Sequence, residues 1–295
     1  MKMAFPASLI KSLGWDDNLT EVDTLLHESA HAGDLEEIKD IMKYDENRRL
    51  INQKNRLGCS PLRIAAAGGH TDVVTYLICY GADVNSFDIK HQTPLFVAVK
   101  KQHLKCIRVL LRAGANPDGD KSSTCTPLYI AAMEGFYPGV CELLKGGADV
   151  DKSHMSIGMS MMSSPLHISA IYGYFNCFFA LIVAGADPNN CTNNHRGTIY
   201  HSLVKYDSAN VKFVELLYES GADVYVTNDQ GKFPHDIVEC DLNPTAAFIQ
   251  LIFRNPRSLL SGCRLVIRHT IGKKNLPVIN ELPLPQKLLA YLQFR

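Results

Sequence analysis

Hydrophobic and polar positions along most of this chain follow one repeated pattern, which is clearest in residues 93–118. Thr93 and Pro94 predict a helix start, because proline suits the first helical turn and a threonine oxygen accepts a hydrogen bond from an unpaired N–H there. A turn near Gln102 precedes a second helix, which ends at Gly114. The apolar positions of this second helix have the three-to-four spacing of a buried face: Ile107, Leu110 and Leu111.

The same unit recurs along the chain with different surface residues. Its opening Ser/Thr-Pro-Leu stands again at 60–62, 126–128 and 164–166, and degenerate copies begin at 24, 198 and 231. Pro61, Pro94 and Pro127 are 33 residues apart, which is the period of ankyrin repeats. Residues 24–240 therefore resemble ankyrin repeats. The resemblance implies an all-α solenoid of stacked helix pairs with β-hairpin loops, about six repeats of which the last are degenerate.

The repeats need a cap at each end, and two segments are candidates. Residues 1–23 have helically spaced apolar residues and are expected to form an N-terminal capping helix. Their single tryptophan, Trp15, is also a candidate substrate contact, because tryptophan is enriched at interface hot spots. At the other end, Asn243 and Pro244 predict the start of a closing helix. The repeat domain is thus expected to cover residues 24–255.

A methionine-rich insertion separates two of the repeats. It lengthens the connection before Pro165 by five residues and is rich in serine. Methionine adapts well to varied binding partners, so this loop is a second candidate substrate contact. Its serine content favours disorder, so an insertion without a role is an equally good interpretation. Its methionines are Met155, Met159, Met161 and Met162.

Composition excludes several classes of function. Thirty basic residues balance thirty acidic residues, so nothing favours nucleic acid or an anionic membrane as a partner. Nine cysteines without a CxxC pair indicate reduced thiols, and no apolar run is long enough to span a bilayer. The first residues lack the apolar core of a signal peptide. We therefore expect a protein of the cytoplasm that can also be present in the nucleus. We expect it to bind no cofactor.

The last forty residues leave the repeat period and have an amphipathic pattern of their own. Leu259, Cys263 and Ile267 are four residues apart and would form one apolar ridge on a helix, flanked by Leu260 and Val266. The remaining sides of the helix would be kept polar by arginines: Arg257, Arg264 and Arg268. An extended Leu282-Pro283-Leu284-Pro285 segment follows, and a short helix carries Leu288, Leu289 and Leu292.

Residues 256–295 resemble a SOCS box. The order Leu-xxx-Cys-xxx-Ile and then Leu-Pro-Leu-Pro is similar to an elongin-binding box followed by a cullin box of the cullin-5 type. Together with the repeats, the chain resembles the ankyrin repeat and SOCS box family. The resemblance implies a non-catalytic substrate adaptor of a ubiquitin ligase that binds elongin C with elongin B, and cullin-5 with its RING-box protein. Residues 259, 260, 263, 266 and 267 would contact elongin, and residues 282–285 the cullin.

Two other readings compete with the adaptor. The chain could be a non-catalytic ankyrin scaffold whose C-terminal segment only caps the solenoid. Alternatively, His27, Glu28 and His31 match the HExxH motif of zinc hydrolases. These residues coincide with the opening of a repeat and no third ligand is evident, so we expect no metal site and no enzyme. His167 and His201 occupy the matching positions of later repeats, where we expect them to make hydrogen bonds at turns.

Overall fold

The computed structural model describes residues 25–44, 49–152, 154–155, 162–190, 197–206, 211–237, 243–255 and 257–294. Contacts divide the chain into two compact units, residues 1–123 and residues 124–295. Each unit consists of helix pairs of the kind that the repeated pattern predicts, so the predicted all-α fold is confirmed. None of the helices in these ranges is both long and apolar enough to cross a membrane.

Three helix pairs make up the described part of the first unit. They are α1 (Leu25–Ala32) with α2 (Leu35–Tyr44), α3 (Pro61–Gly68) with α4 (Thr71–Cys79), and α5 (Pro94–Lys100) with α6 (Leu104–Arg112). The first helices of successive pairs pack side by side, with α3 between α1 and α5. Leu62 on α3 and Leu95 on α5 are completely buried. Ile107 and Leu110 on α6, the second helix of its pair, are also completely buried. Each pair thus buries its apolar faces against its neighbours.

Local capping explains where these helices begin and end. Ser60 Oγ accepts a hydrogen bond from the N–H of Arg63, and Thr93 Oγ1 accepts one from the N–H of Phe96. Such caps satisfy N–H groups that have no partner inside the helix. At the other end, Gly114 takes a φ of 86°, a left-handed conformation that side chains resist. Both features were predicted from the repeated pattern.

The second unit continues with further pairs and then the C-terminal segment. Its helices are α7 (Pro127–Met133), α8 (Tyr137–Lys145), α9 (Pro165–Ile171), α10 (Phe175–Val183), α11 (Ile199–Tyr206), α12 (Val211–Glu219), α13 (Pro244–Arg254), α14 (Leu259–Ile271) and α15 (Gln286–Leu292). Two 3₁₀ helices span Pro234–Asp236 and Lys273–Glu281. Asn243 Oδ1 caps the start of α13 by accepting from the N–H groups of Thr245 and Ala246, as its sequence predicts.

Two short segments complete the comparison with the sequence expectations, of which the first is a β-hairpin of the expected kind. In the described part of the inserted loop, β1 (His154–Met155) pairs antiparallel with β2 (Met162–Ser163). The stretch Lys273–Glu281, for which the sequence analysis predicts no element, is a 3₁₀ helix. Its Leu276 and Ile279 stand three residues apart and are buried against Leu292 of α15, because a 3₁₀ helix brings every third side chain to one side.

Candidate functional site

The apolar ridge predicted from the sequence lies on α14. Ser258 Oγ accepts a hydrogen bond from the N–H of Ser261 and so fixes the start of the helix. Leu259, Cys263 and Ile267 are all exposed, and Leu259 retains 86% of its accessible surface. Their four-residue spacing on one helix places them along a single side. The structure therefore brings these three residues together on a surface that another protein can reach.

Two neighbouring side chains widen this ridge. Leu260 is 64% exposed and Val266 is 66% exposed. Single exposed apolar residues are normal on protein surfaces, but five apolar residues on one short helix form a contiguous patch. A patch of this kind indicates a protein contact. We use the name elongin ridge for Leu259, Leu260, Cys263, Val266 and Ile267, after the partner that the sequence resemblance predicts for them.

The opposite side of α14 is polar and buried, which reverses the usual arrangement of a surface helix. Arg264 and Arg268 are almost fully buried, with less than a tenth of their surface exposed. The sequence analysis places these arginines on the other sides of the helix, where the structure has them, but it does not predict their burial. They hold α14 onto the repeats, and Arg257 assists them just before the helix. We call these three residues the arginine clamp.

Arg268 forms the centre of the arginine clamp. Its Nη2 donates to the carbonyl of Ile182 at 2.7 Å and to that of Val183 at 3.1 Å, at the end of α10. Its Nη1 donates to the carbonyl of Leu292 at 2.6 Å, at the end of α15. Carbonyls at helix ends lack partners inside the helix and carry partial negative charge. One guanidinium thus satisfies the ends of two helices at once.

The guanidinium of Arg268 stays positively charged although it is buried. Burial is the main effect that lowers the pKa of its guanidinium, and the neighbouring Arg264 lowers it further, to about 10. At neutral pH the side chain therefore stays protonated and keeps its donors. The ring of Phe294 lies 4.6 Å from the Arg268 guanidinium carbon, in the geometry of a cation–π contact.

Arg264 and Arg257 bind the end of α12. Arg264 Nη2 lies 2.7 Å from Glu219 Oε2, and the ring centroid of Tyr291 lies 4.1 Å from its guanidinium carbon. Arg257 Nε donates to the carbonyl of Tyr218 at 2.9 Å, and its Nη2 donates to the carbonyl of Ala222. The arginine clamp therefore covers carbonyls at the C-terminal ends of neighbouring repeat helices. It was missed from the sequence, although arginines seven and four residues apart opposite an apolar ridge are a usable signal.

The Leu282–Pro285 segment is extended at both ends, as the prolines predict, and it bends between them, where the N–H of Leu284 donates to the carbonyl of Leu282 at 2.7 Å. Leu282 has a φ of −67° and a ψ of 141°, and Pro285 a φ of −55° and a ψ of 142°. The two leucines are half-buried against the Leu276, Ile279 and Leu292 cluster, whereas Pro283 and Pro285 are exposed. The prolines are therefore the part of the segment that a partner reaches most easily.

The candidate substrate contacts are described only in part. Trp15, Met159 and Met161 lie outside the described residues. Met155 and Met162 form a backbone pair between β1 and β2. That these residues bind a substrate stays a prediction.

The HExxH match has a different environment from a zinc site. His27 is buried, and its Nε2 lies 3.1 Å from the carbonyl of Cys59 in the loop before α3. Among the residues that the structure describes, no group of His, Cys, Asp and Glu side chains could hold a metal ion. The hydrogen bond to Cys59 gives this histidine a structural role between repeats.

His167 and His201 also make hydrogen bonds at the starts of their helices. His167 Nδ1 lies 3.0 Å from Ser164 Oγ, and the His201 ring accepts from the N–H of Thr198 at 2.9 Å. His167 is fully enclosed, and burial lowers its pKa to about 4. Burial of His201 also lowers the pKa of its ring, although a hydrogen bond to the carbonyl of Lys232 opposes this.

The buried His167 predicts a pH dependence of stability. Its pKa is lower in the folded state than the ordinary 6.5, so the unfolded chain binds a proton first as the pH falls, and stability is lost below about pH 6.5. Between about pH 7.5 and 5.5 the contribution of this group is a loss of about 1 kcal/mol. His167→Phe, the residue that Phe96 provides in an earlier repeat, should flatten the slope of unfolding free energy against pH. Urea unfolding at several pH values measures it, and equal slopes for both proteins would contradict the expectation.

Comparison with known proteins agrees with this arrangement. The SOCS box family matches residues 255–293, and ankyrin repeat families match residues 7–88, 86–154 and 163–194. "Ankyrin repeat and SOCS box protein 1" of Mus musculus is 44% identical, over 92% of this chain and 88% of that protein. "Ankyrin repeat and SOCS box protein 12" of Homo sapiens is 42% identical, over 94% and 93%.

Solved structures extend the comparison to the fold. The human ASB11 ankyrin repeat domain superposes with a TM-score of 0.63 at 25% identity, covering 80% of this chain and all of that one. The ankyrin repeat domain of Bcl-3 reaches 0.68 at 23% identity, covering 78% and 99%, which shows the fold alone.

The fold and the C-terminal site define an ankyrin-repeat protein that carries a SOCS box. More specifically, the chain belongs to the ankyrin repeat and SOCS box family. Family membership and the SOCS box support the role of a substrate adaptor for a ubiquitin ligase.

Proposed function

We propose that this chain is the substrate adaptor of an elongin B/C, cullin-5 and RING-box ubiquitin ligase. In this assembly the elongin ridge binds elongin C, residues 282–285 contact cullin-5, and the repeats hold a target protein for ubiquitination and proteasomal degradation. The adaptor supplies no reactive group of its own. It increases the rate of transfer by holding the lysines of the target near the ubiquitin thioester carried by other subunits.

The observation that carries this proposal is the exposure of the elongin ridge on a helix whose arginines are buried. Full burial of one leucine or isoleucine side chain contributes about 1.5–3 kcal/mol. Leu259, Leu260 and Ile267 together could therefore supply much of the roughly 8 kcal/mol of a micromolar complex. A helix that served only as a cap would present a polar outer face, because a terminal repeat needs one for solubility.

The scaffold alternative has one observation in its favour. Through the arginine clamp, α14 does cover the ends of α10 and α12, as a cap would. The two functions differ in what the ridge does without a partner. A scaffold should be a soluble monomer when expressed alone, whereas an adaptor should aggregate alone and become monodisperse with elongin B and elongin C.

Co-expression tests the proposal directly. The full chain is produced alone and together with elongin B and elongin C, and both preparations are examined by size-exclusion chromatography with light scattering. We expect a stoichiometric ternary complex and, for the chain alone, aggregated material. A soluble monomer that does not bind elongin B and C even when they are in excess would favour the scaffold instead.

The cullin assignment leads to a separate prediction. Replacing Pro283 and Pro285 by alanine should weaken cullin-5 binding by about tenfold, because two exposed contacts and the extended backbone are lost together. Binding of elongin B and C should not change, because neither proline lies on the elongin ridge. The measurement titrates the adaptor–elongin complex with cullin-5 and, as a comparison, with cullin-2. Equal affinity for the two cullins would contradict the assignment.

A further inference from the structure

A second exposed apolar surface lies in the first unit, on the loops that precede α3 and α5. Leu57 is 60% exposed, Ile89 is 65% exposed, and Phe87 is also exposed. The N–H of Ile89 donates to the carbonyl of Leu57 at 3.1 Å, so the two loop tips are joined into one surface. Neighbouring exposed side chains of this size on loop tips indicate a binding surface and not a core.

Hydrogen bonds to one buried carboxylate hold this surface in shape. Asp88 lies between Phe87 and Ile89 and is almost fully buried. Its Oδ1 accepts from the N–H groups of Lys90 and Gln92, each at 2.8 Å. Its Oδ2 lies 2.5 Å from Arg63 Nη2 on α3. The loop is therefore already ordered before any partner binds, which lowers the entropic cost of binding.

The same arrangement leaves the exposed charge of the surface positive. Three basic side chains with exposed surfaces surround the apolar residues: Lys54, Arg56 and Lys90. The carboxylate of Asp88 is buried and neutralised by Arg63. The carboxylate of Asp120, from the next loop, lies 3.0 Å from the ring of His91. We call the three apolar and three basic residues together the tip patch.

We infer that the tip patch binds an acidic segment of the substrate in which leucine or phenylalanine side chains alternate with aspartate or glutamate. The inference rests on the proposed function, in which the repeats hold a target protein. Apolar side chains of the segment cover Leu57 and Ile89, and its carboxylates face the surrounding lysines and arginine. Complementary charge of this kind raises the association rate and selects against basic segments.

The aromatic content of the tip patch argues against nucleic acid, the other partner that a basic surface suggests. Single-stranded nucleic acids bind by stacking bases on free aromatic faces. Phe87 already stacks on the His91 ring, with centroids 5.1 Å apart, and Lys54 Nζ lies 4.6 Å from its centroid. The most exposed residues, Leu57 and Ile89, are aliphatic. A peptide with apolar side chains fits this surface better than a base does.

Binding of labelled peptides to the full chain tests the inference. The probe is a short fluorescein-labelled peptide in which leucines alternate with glutamates, and fluorescence anisotropy measures its affinity at low and high salt. We expect Leu57→Asp with Ile89→Asp to weaken binding by at least about tenfold. Lys90→Glu should also weaken binding and reduce its salt dependence, and it leaves in place the hydrogen bond that Lys54 Nζ donates to the carbonyl of Phe87 at 2.7 Å.

Matched controls separate specific binding from general effects of surface charge. Leu251→Asp replaces a leucine that is 56% exposed on α13, and Lys105→Glu reverses an exposed lysine on α6, so neither should alter peptide affinity. Circular dichroism checks that every variant folds. The inference is wrong if the wild-type chain fails to bind the acidic peptide, if a glutamine version binds equally well, or if uridine RNA binds more tightly.

The experiment also distinguishes failure of this inference from failure of the proposed function. Variants of the tip patch should bind elongin B and C with unchanged affinity, because they leave the elongin ridge intact. Leu259→Asp should have the opposite effect: it should lose affinity for elongin B and C and keep its affinity for the acidic peptide. Loss of peptide binding in Leu259→Asp as well would contradict an independent tip patch.

Discussion

Replacing Leu259 and Ile267 together by aspartate is expected to reduce the affinity for elongin B and C by at least about a hundredfold. Leu259 is 86% exposed and Ile267 is 40% exposed, so both are within reach of a partner on the elongin ridge. In a complex, the two carboxylates would be buried in an apolar groove without partners, which costs several kcal/mol each. Isothermal titration calorimetry on the intact chain measures the loss.

The stability of the chain should barely respond to the same pair of substitutions. Exposed substitutions away from caps and buried networks usually change the free energy of unfolding by less than about 0.5 kcal/mol. Leu251→Asp, on another exposed position of the second unit, serves as the matched control and should leave elongin binding unchanged. If the Leu259 and Ile267 variant unfolds several kcal/mol more easily, the ridge packs inside the molecule and the adaptor proposal loses its main support.

Local sequence signals were sufficient for the repeats. Ser60 and Thr93 cap their helices, and Gly114 has the left-handed conformation expected of a helix end. Each of these features depends on residues within one helical turn, and the repeats multiply the signal. The position of the C-terminal ridge was also predictable, because Leu259, Cys263 and Ile267 have the four-residue spacing of one helix face. Its exposure was not, because a helix that only caps the repeats would have the same spacing.

The arginine clamp was not predictable in the same way. Arg268 binds carbonyls of Ile182 and Val183, which are more than eighty residues away in the chain. Backbone carbonyls exist at every residue, so no sequence pattern marks the ones that accept. Hydrophobic periodicity also assigns arginines to the solvent by default. On α14, whose apolar side is exposed, that assignment is reversed.

The segment Lys273–Glu281 was missed for a different reason. Its apolar residues Leu276 and Ile279 have a spacing of three, and Pro277 stands between them. A three-residue period over one short stretch is too weak a pattern to separate from a loop. The 3₁₀ helix forms because packing against Leu292 stabilises it, and that contact joins residues on either side of the Leu282–Pro285 segment.

Replacing Arg268 by methionine is expected to destabilise the attachment of α14 by about 2 kcal/mol or more. Methionine fills a similar volume but donates no hydrogen bond, so the carbonyls of Val183 and Leu292 would be left without that donor, whereas the carbonyl of Ile182 keeps the N–H of Gly185 at 3.0 Å. Each unsatisfied buried group costs about 1–3 kcal/mol. Hydrogen exchange of the amides in α14 and urea unfolding of the full chain measure this effect.

Two further variants test whether the geometry of the guanidinium or only its charge matters. Arg268→Lys keeps the charge but replaces a planar fork by a single ammonium, so it should recover only part of the lost stability. Arg254→Met removes an exposed arginine at the end of α13 and should have no measurable effect. Full recovery by lysine would mean that charge alone holds the helix, and an Arg268→Met protein as stable as the wild type would exclude the clamp.

The same variant separates binding from catalysis in the proposed ligase. Arg268→Met leaves every residue of the elongin ridge in place, so affinity for elongin B and C should fall by no more than a few fold. The orientation of that ridge relative to the repeats of the second unit depends on the arginine clamp. A loosened clamp should therefore slow ubiquitin transfer to a bound target much more than it weakens assembly, because transfer needs a fixed distance between lysine and thioester. Reconstituted transfer assays would reveal the split, and equal losses in assembly and transfer would mean that the clamp only stabilises the fold.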